Sequence, residues 1–310
     1  MRMVVLVGIA AAGCGTVNEK AIDAAIAGDV ATADVSTIDA PPPRCNPTAA
    51  FGVATELTTL DSVSDDEAPF LTPDELTLYF GSNRAGGAGG FDLYKATRTA
   101  VTAPFGGVTL VTGVNTTGEE RVPRLSSDEL TLIAASKPAG SSVFRIGLSQ
   151  RTSTAVAFPA LQSIANVAGT TNDTEPALLP SGNVIYFGSD RGGNYDIYRT
   201  SKSGGAFSAP ALVTGTQLNT ASTESSPVVT TDELHLYILS NRTGTQGVFD
   251  IYASSRATTA DAFSAPVSVT ELNTPSIDFP SWISPDNCTL YFTRQIANRG
   301  YDMFSATRGN

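Results

Sequence analysis

Apolar side chains in this chain fall in short runs that are apolar at consecutive positions. The clearest is Val184-Ile185-Tyr186-Phe187, and residues 76–80 and 290–292 resemble it. A strand covered on one face would alternate apolar and polar residues, so these predict strands covered on both faces. Each run is preceded by a proline and a turn. A Gly/Asn-rich hairpin follows, and then an aromatic-Asp-aliphatic-aromatic strand, as in Tyr195-Asp196-Ile197-Tyr198. Short strands bounded by turn-forming residues predict an all-β chain.

The pattern repeats five times. Pro69, Pro123, Pro176, Pro227 and Pro280 are spaced by 54, 53, 51 and 53 residues. Asp92, Arg145, Asp196, Asp250 and Asp302, which mark the later strand, are spaced by 53, 51, 54 and 52. Two independent marks keep one period, the signature of a repeat architecture. A fourth element lies between copies, at Phe105, Phe158, Phe207-Ser208-Ala209-Pro210 and Phe263-Ser264-Ala265-Pro266. Four strands per repeat predict a β-propeller of five blades, each of four antiparallel strands, over residues 51–310. The last copy reaches Asn310 without its fourth element, whereas Phe51-Gly52-Val53-Ala54-Thr55-Glu56-Leu57 precedes the first. The N-terminal strand is therefore expected to complete blade five and close the ring, leaving no open edge.

Before the repeats, Met1-Arg2-Met3 leads into an apolar run over residues 4–12. The run is too short to span a bilayer and fits a secretory signal, so residues 1–13 are expected to be cleaved. Ala11-Ala12-Gly13-Cys14 resembles a bacterial lipobox, which implies a lipidated Cys14 anchoring the chain to a membrane. Gly15 stands where an Asp would retain an enteric lipoprotein at the inner membrane, so the outer membrane is expected, with the propeller in the periplasm or at the surface. Residues 14–50 are rich in Ala, Asp and Thr, lack aromatics and end near Pro41-Pro42-Pro43, a composition that predicts a flexible tether.

Of the other cysteines, Cys288 opens the second strand of blade five and Cys45 lies just before that blade's closing strand. Both strands start at the same end, so a Cys45–Cys288 disulfide is expected to pin the closure, as export permits. A net charge of −11 repels nucleic acid, and none is expected as partner. The closed ring is expected to be monomeric.

Leu71-Thr72-Pro73-Asp74-Glu75-Leu76-Thr77-Leu78-Tyr79-Phe80, with Ser82-Asn83-Arg84 and Asp92-Leu93-Tyr94, resembles the TolB-type, WD-repeat-like β-propeller repeat of bacterial envelope proteins. The pattern recurs at Asp190-Arg191 with Asp196, at Asn241-Arg242 with Asp250, and around Ser284-Pro285-Asp286 with Asp302, covering residues 64–310. The family includes interaction platforms, accessory domains of serine peptidases and lyases of acidic sugars, so the resemblance implies a fold more than an activity. Blade two departs from the pattern, with Lys137-Pro138 for the Asn-Arg pair and Phe144-Arg145-Ile146-Gly147 for the Asp strand. Its loops, and Gly244-Thr245-Gln246-Gly247, are expected contact sites.

One carboxylate per blade precedes the repeat proline: Asp66, Glu120, Asp173, Glu224 and Asp278. Placed at a channel mouth, five acids could hold a hard cation such as Ca²⁺. The favoured reading is structural, each acid pairing with a hairpin Arg or capping amides. The hairpin Arg residues are likewise expected to bridge to Asp92, Asp196 and Asp250. Catalytic sets are sparse: His235, the one histidine, lies in an apolar strand, and no nucleophile-elbow motif accompanies it. The expected function is a binding platform for an envelope protein or polysaccharide, with no cofactor. The alternative is a carbohydrate-active hydrolase using paired channel-mouth carboxylates.

Overall fold

The computed structural model describes residues 44–310; Cys14, the signal segment and the tether up to residue 43 lie outside them. Among the described residues every regular element is a strand. β1 (Thr55–Glu56) comes first in the chain. Blade one follows as β2 (Asp66–Leu71), β3 (Thr77–Ser82), β4 (Asp92–Thr97) and β5 (Gly106–Leu110). Blade two is β6 (Glu119–Leu125), β7 (Thr131–Lys137), β8 (Arg145–Gln150) and β9 (Gln162–Ser163). Blade three is β10 (Asp173–Leu178), β11 (Val184–Ser189) and β12 (Asp196–Ser203), with two short outer strands, β13 (Ala206–Phe207) and β14 (Ala211–Leu212), both on β12. Blade four is β15 (Glu224–Val229), β16 (His235–Ser240), β17 (Asp250–Ser255) and β18 (Val267–Ser268). Blade five is β19 (Asp278–Ile283), β20 (Thr289–Ile296) and β21 (Gly300–Thr307), completed by β1.

The sheets are antiparallel, and β2, β6, β10, β15 and β19 pack in turn around the axis, β19 meeting β2. The second strands are buried on both faces, with Leu78, Phe80, Tyr186, Phe187, Leu236 and Phe292 fully enclosed. Burial of each such side chain stabilises the fold by roughly 1.5–3 kcal/mol, which is why the consecutive apolar runs recur. Every inner strand carries a bulge. In four blades the residue before the proline takes a left-handed conformation: Ala68, Val122, Glu175 and Ser226, with φ of 57°, 56°, 52° and 46°. That region is costly for L residues, and most of all for a β-branched one such as Val122.

The ring closes through β1, which pairs with β21 so that Thr55 faces Ser305 and Glu56 faces Phe304. Phe51 bridges to Arg308 just beyond. The Arg308 guanidinium lies over the Phe51 ring, 3.9 Å from its centroid. The same contact is made within blades by Arg98 and Phe105 at 4.3 Å, Arg151 and Phe158 at 4.2 Å, and Arg256 and Phe263 at 4.4 Å. In each case the arginine Nε also donates to a turn carbonyl, of Glu75, Glu129, Glu233 or Asn287. Phe51 therefore fills in blade five the place taken elsewhere by the Phe of the outer segment. Cys45 and Cys288, 243 residues apart, are joined by a disulfide beside this closure, with Cα atoms 5.7 Å apart.

Candidate functional site

Asp66, Glu120, Asp173, Glu224 and Asp278 stand at or next to the first position of the five inner strands, and each is 0% exposed. They do not open on a channel mouth. Each turns back into its own blade and accepts a backbone amide from the preceding segment: Ser62, Thr116, Gly169, Thr220 or Thr274. Four also hold a guanidinium, with Arg84 at 2.6 Å from Asp66, Arg191 at 2.5 Å from Asp173, Arg242 at 3.2 Å from Glu224 and Arg294 at 2.6 Å from Asp278. The same arginines donate to the carbonyls of Leu60, Val167, Leu218 and Leu272, tying the inner strand to the segment before it. A buried carboxylate is tolerated when charge and hydrogen bonds surround it, so the recurrence of these acids is explained by the fold.

The structural reading of these acids holds, and one expectation about the arginines is corrected. The hairpin arginines reach the inner-strand acids and not the later strand aspartates. Asp92 instead accepts the amides of Ala88 and Gly89, and Asp250 those of Gln246 and Gly247, so these acids close their hairpins. A shared Ca²⁺ ring also fails on geometry, since each of the five acids is enclosed in its own blade. Among the described residues, the carboxylates close enough to share an ion are Glu56, Asp61 and Asp302. Arg299 already meets all three, at 2.5, 3.4 and 2.9 Å.

Blade two is the electrostatic exception. Pro138 stands where an arginine is needed, and Glu120 is held by the Thr116 and Ser136 hydroxyls at 2.8 and 3.2 Å. Burial pushes its carboxyl up. Lys137 is diverted to Glu119, at 2.5 Å. Blade five compensates differently: Arg294 lies directly opposite Asp278 in register, where the other blades place Ser82, Ser136, Ser189 and Ser240. His235 is half-buried at the start of β16.

The axis itself carries residues that the repeat pattern does not announce. Near the start of the inner strands, Arg121 pairs with Glu67 at 3.4 Å and Glu119 at 2.9 Å, its guanidinium 3.5 Å from the Phe91 centroid. Burial outweighs Arg121 at Glu67, and with a contribution from Glu175 the Glu67 carboxyl is pushed up to about 7. Glu175 accepts the Ser226 amide at 2.7 Å. At the opposite end of the inner strands lies a cavity of about 250 Å³, lined by all five of them. Its walls include two rings, besides Ser281 and the residues Pro73, Ser127, Pro180, Thr231 and Pro285. Leu71, Leu125, Leu178, Val229 and Ile283 form one; Phe70, Arg124, Ala177, Val228 and Trp282, which share one register position opposite the second strands, form the other. Arg124 is the one charged member. The detectable signal was a single arginine at a position that the other repeats keep apolar.

Fold and axis together define a five-bladed β-propeller closed by its N-terminal strand. No family model matches the chain, and no curated protein matches its sequence. It is similar to a thermostable family-43 glycoside hydrolase, with a TM-score of 0.54 and 11% identity over 82% of this chain and 91% of the other. It is also similar to CoXyl43, a GH43 β-xylosidase/α-arabinofuranosidase from a compost microbial metagenome, with a TM-score of 0.52 and 13% identity over 83% of this chain and 94% of the other. TolB from Acinetobacter baumannii matches 81% of this chain at 15% identity and a TM-score of 0.46, and this chain spans 57% of its length. At these identities the likeness shows the fold alone.

Proposed function

We propose that the chain is an envelope-anchored lipoprotein whose propeller is a non-enzymatic binding platform for a protein or a cell-wall polysaccharide. The observation that carries this reading is that the repeating carboxylates are consumed by the architecture: all five are buried, and four are neutralised by arginines. A disulfide between Cys45 and Cys288 suits an exported chain. The lipid would be carried on Cys14, with the outer membrane as its destination. Cys14→Ala should release the protein from membranes into the soluble fraction; persistent detergent-dependent attachment would contradict the anchor. Crosslinking in intact envelopes should then enrich one discrete partner in the anchored protein.

One observation favours a second reading, a carbohydrate-active hydrolase. Glu67 and Glu175 lie on inner strands, and a carboxyl pushed up to about 7 is suited to proton transfer near neutral pH. The five acids expected to serve such chemistry are enclosed, so any catalysis would fall to this different pair. Glycan-cleavage assays with Glu67→Gln and Glu175→Gln separate the readings: a hydrolase loses turnover, whereas a platform has none to lose.

A further inference from the structure

Arg124 is unusual among the arginines of this propeller. It is 5% exposed, yet it forms no ion pair with any described carboxylate. Its hydrogen bonds run from Nη1 alone, to the carbonyls of Pro123 at 2.8 Å and Ala68 at 3.4 Å. Burial pushes the guanidinium down to about 9, still charged at neutral pH, with Glu175 acting against that shift from beyond ion-pair distance. A buried cation supported by two carbonyls carries a desolvation penalty that an anion would offset.

The surroundings of Arg124 select the anion. It lines the axial cavity of about 250 Å³, whose other walls include Phe70, Val228, Trp282 and Ile283. Ser281 adds a hydroxyl, which shares a 3.4 Å contact with Thr293. Ser127 and Thr231 line the cavity too, the Ser127 hydroxyl already donating to the Pro180 carbonyl; a phosphate or sulfate would bring more charge than one guanidinium can answer, and would leave the apolar walls unused. A carboxylate on a compact apolar body matches both parts: the planar guanidinium fork takes the carboxylate, and the rings take the hydrocarbon.

We propose that the axial cavity is a binding site for a small apolar carboxylate, with Arg124 as its anion anchor and Trp282 as part of its apolar wall. The chemistry is the same for a free organic acid and for the terminal carboxylate of an apolar peptide residue. The proposal deepens the binding-platform reading and rests on it.

Trp282 is the chain's one tryptophan and lines the cavity, so its emission reports occupancy directly. The full chain would be titrated with hexanoate and phenylbutyrate, with hexanol and phenylbutanol as neutral matches. A peptide ending in leucine would be tested with its terminus free and amidated. The acids should give a saturable change in Trp282 emission, with the alcohols and Arg124→Met at least about tenfold weaker, as loss of a charge-assisted contact implies. Arg124→Lys should recover part of the affinity. Val228→Phe keeps Arg124 and fills the cavity; it should abolish the response, and provides an independent test should Arg124→Met fail to fold. Binding by the free-terminus peptide but not the acids would assign the carboxylate to a chain end; the reverse would assign it to a metabolite-sized acid. Equal titration by acids and alcohols, a wild-type response in Arg124→Met, or no response to any probe would overturn the site. Glycan turnover would instead overturn the platform reading, and is measured separately.

Discussion

Asp66 and Glu120 occupy the same place in neighbouring blades and meet opposite electrostatics. Asp66 is enclosed with Arg84 at 2.6 Å, while Glu120 has hydroxyls and an amide. Asp66→Asn leaves a half-buried guanidinium without its counter-charge and should destabilise the fold by roughly 3 kcal/mol, lowering the melting temperature by several degrees. Glu120→Gln removes an uncompensated buried charge and should leave melting unchanged or raise it; thermal unfolding of both at neutral pH checks the contrast. Glu67 makes a pH prediction. Its carboxyl rises from 4.5 to about 7 on folding, so the native state binds the proton more tightly. The stability this contributes is complete below the unfolded value and is lost as pH climbs through 7, on the order of 3 kcal/mol. Glu67→Gln should therefore melt above wild type at alkaline pH and lose that advantage near pH 4. The variant difference is the quantity to follow, since burial and Asp302 also push Asp61 up to about 7. A difference that stays constant across pH would refute the account of Glu67.

At the scale of elements, the closure depends on very little strand. β1 has two residues, and what surrounds it does the holding: Phe51 beneath Arg308, and the Cys45–Cys288 link. The chain-entropy model gives about 5 kcal/mol for so long a loop, a value that measured disulfides often fall below. Reductant should lower the wild-type melting temperature by several degrees and leave Cys45→Ser/Cys288→Ser unmoved; equal sensitivity, or none in either protein, would count against the link. Phe51→Ala should cost about 3 kcal/mol, comparable to Phe105→Ala, because both fill the same slot. Closure was legible in the sequence because Phe51 repeats the aromatic that begins each outer segment. The division of blade three's outer edge into β13 and β14 was not. Two-residue strands carry no periodicity; Gly204 and Gly205, with φ of 62° and 89°, turn the chain from β12 into β13, and only Ser208-Ala209-Pro210 separates β13 from β14.

Across the whole molecule, what repeats was readable and what does not repeat was missed. The doubly covered second strands and the proline-led turns set a period because every blade must meet the same packing demand. The acid of each inner strand was readable as a structural one, held by a hairpin arginine in three blades and by backbone amides in all five; what the sequence did not show is that blade five takes its arginine from β20 and that Glu120 is buried without one. The axis was least readable. Arg124, Glu67 and Glu175 each stand at positions where other blades hold something else, so aligning repeats for their likeness hides them. The central proposal is that the propeller is a scaffold that binds without cleaving. The direct test incubates the full chain and Glu67→Gln with cell-wall and plant polysaccharides, measuring retention and newly formed reducing ends together, beside crosslinking in envelopes. Saturable capture of a ligand is expected, with no new reducing ends from either protein. Reducing ends that accumulate with the wild type and vanish with Glu67→Gln would contradict the proposal.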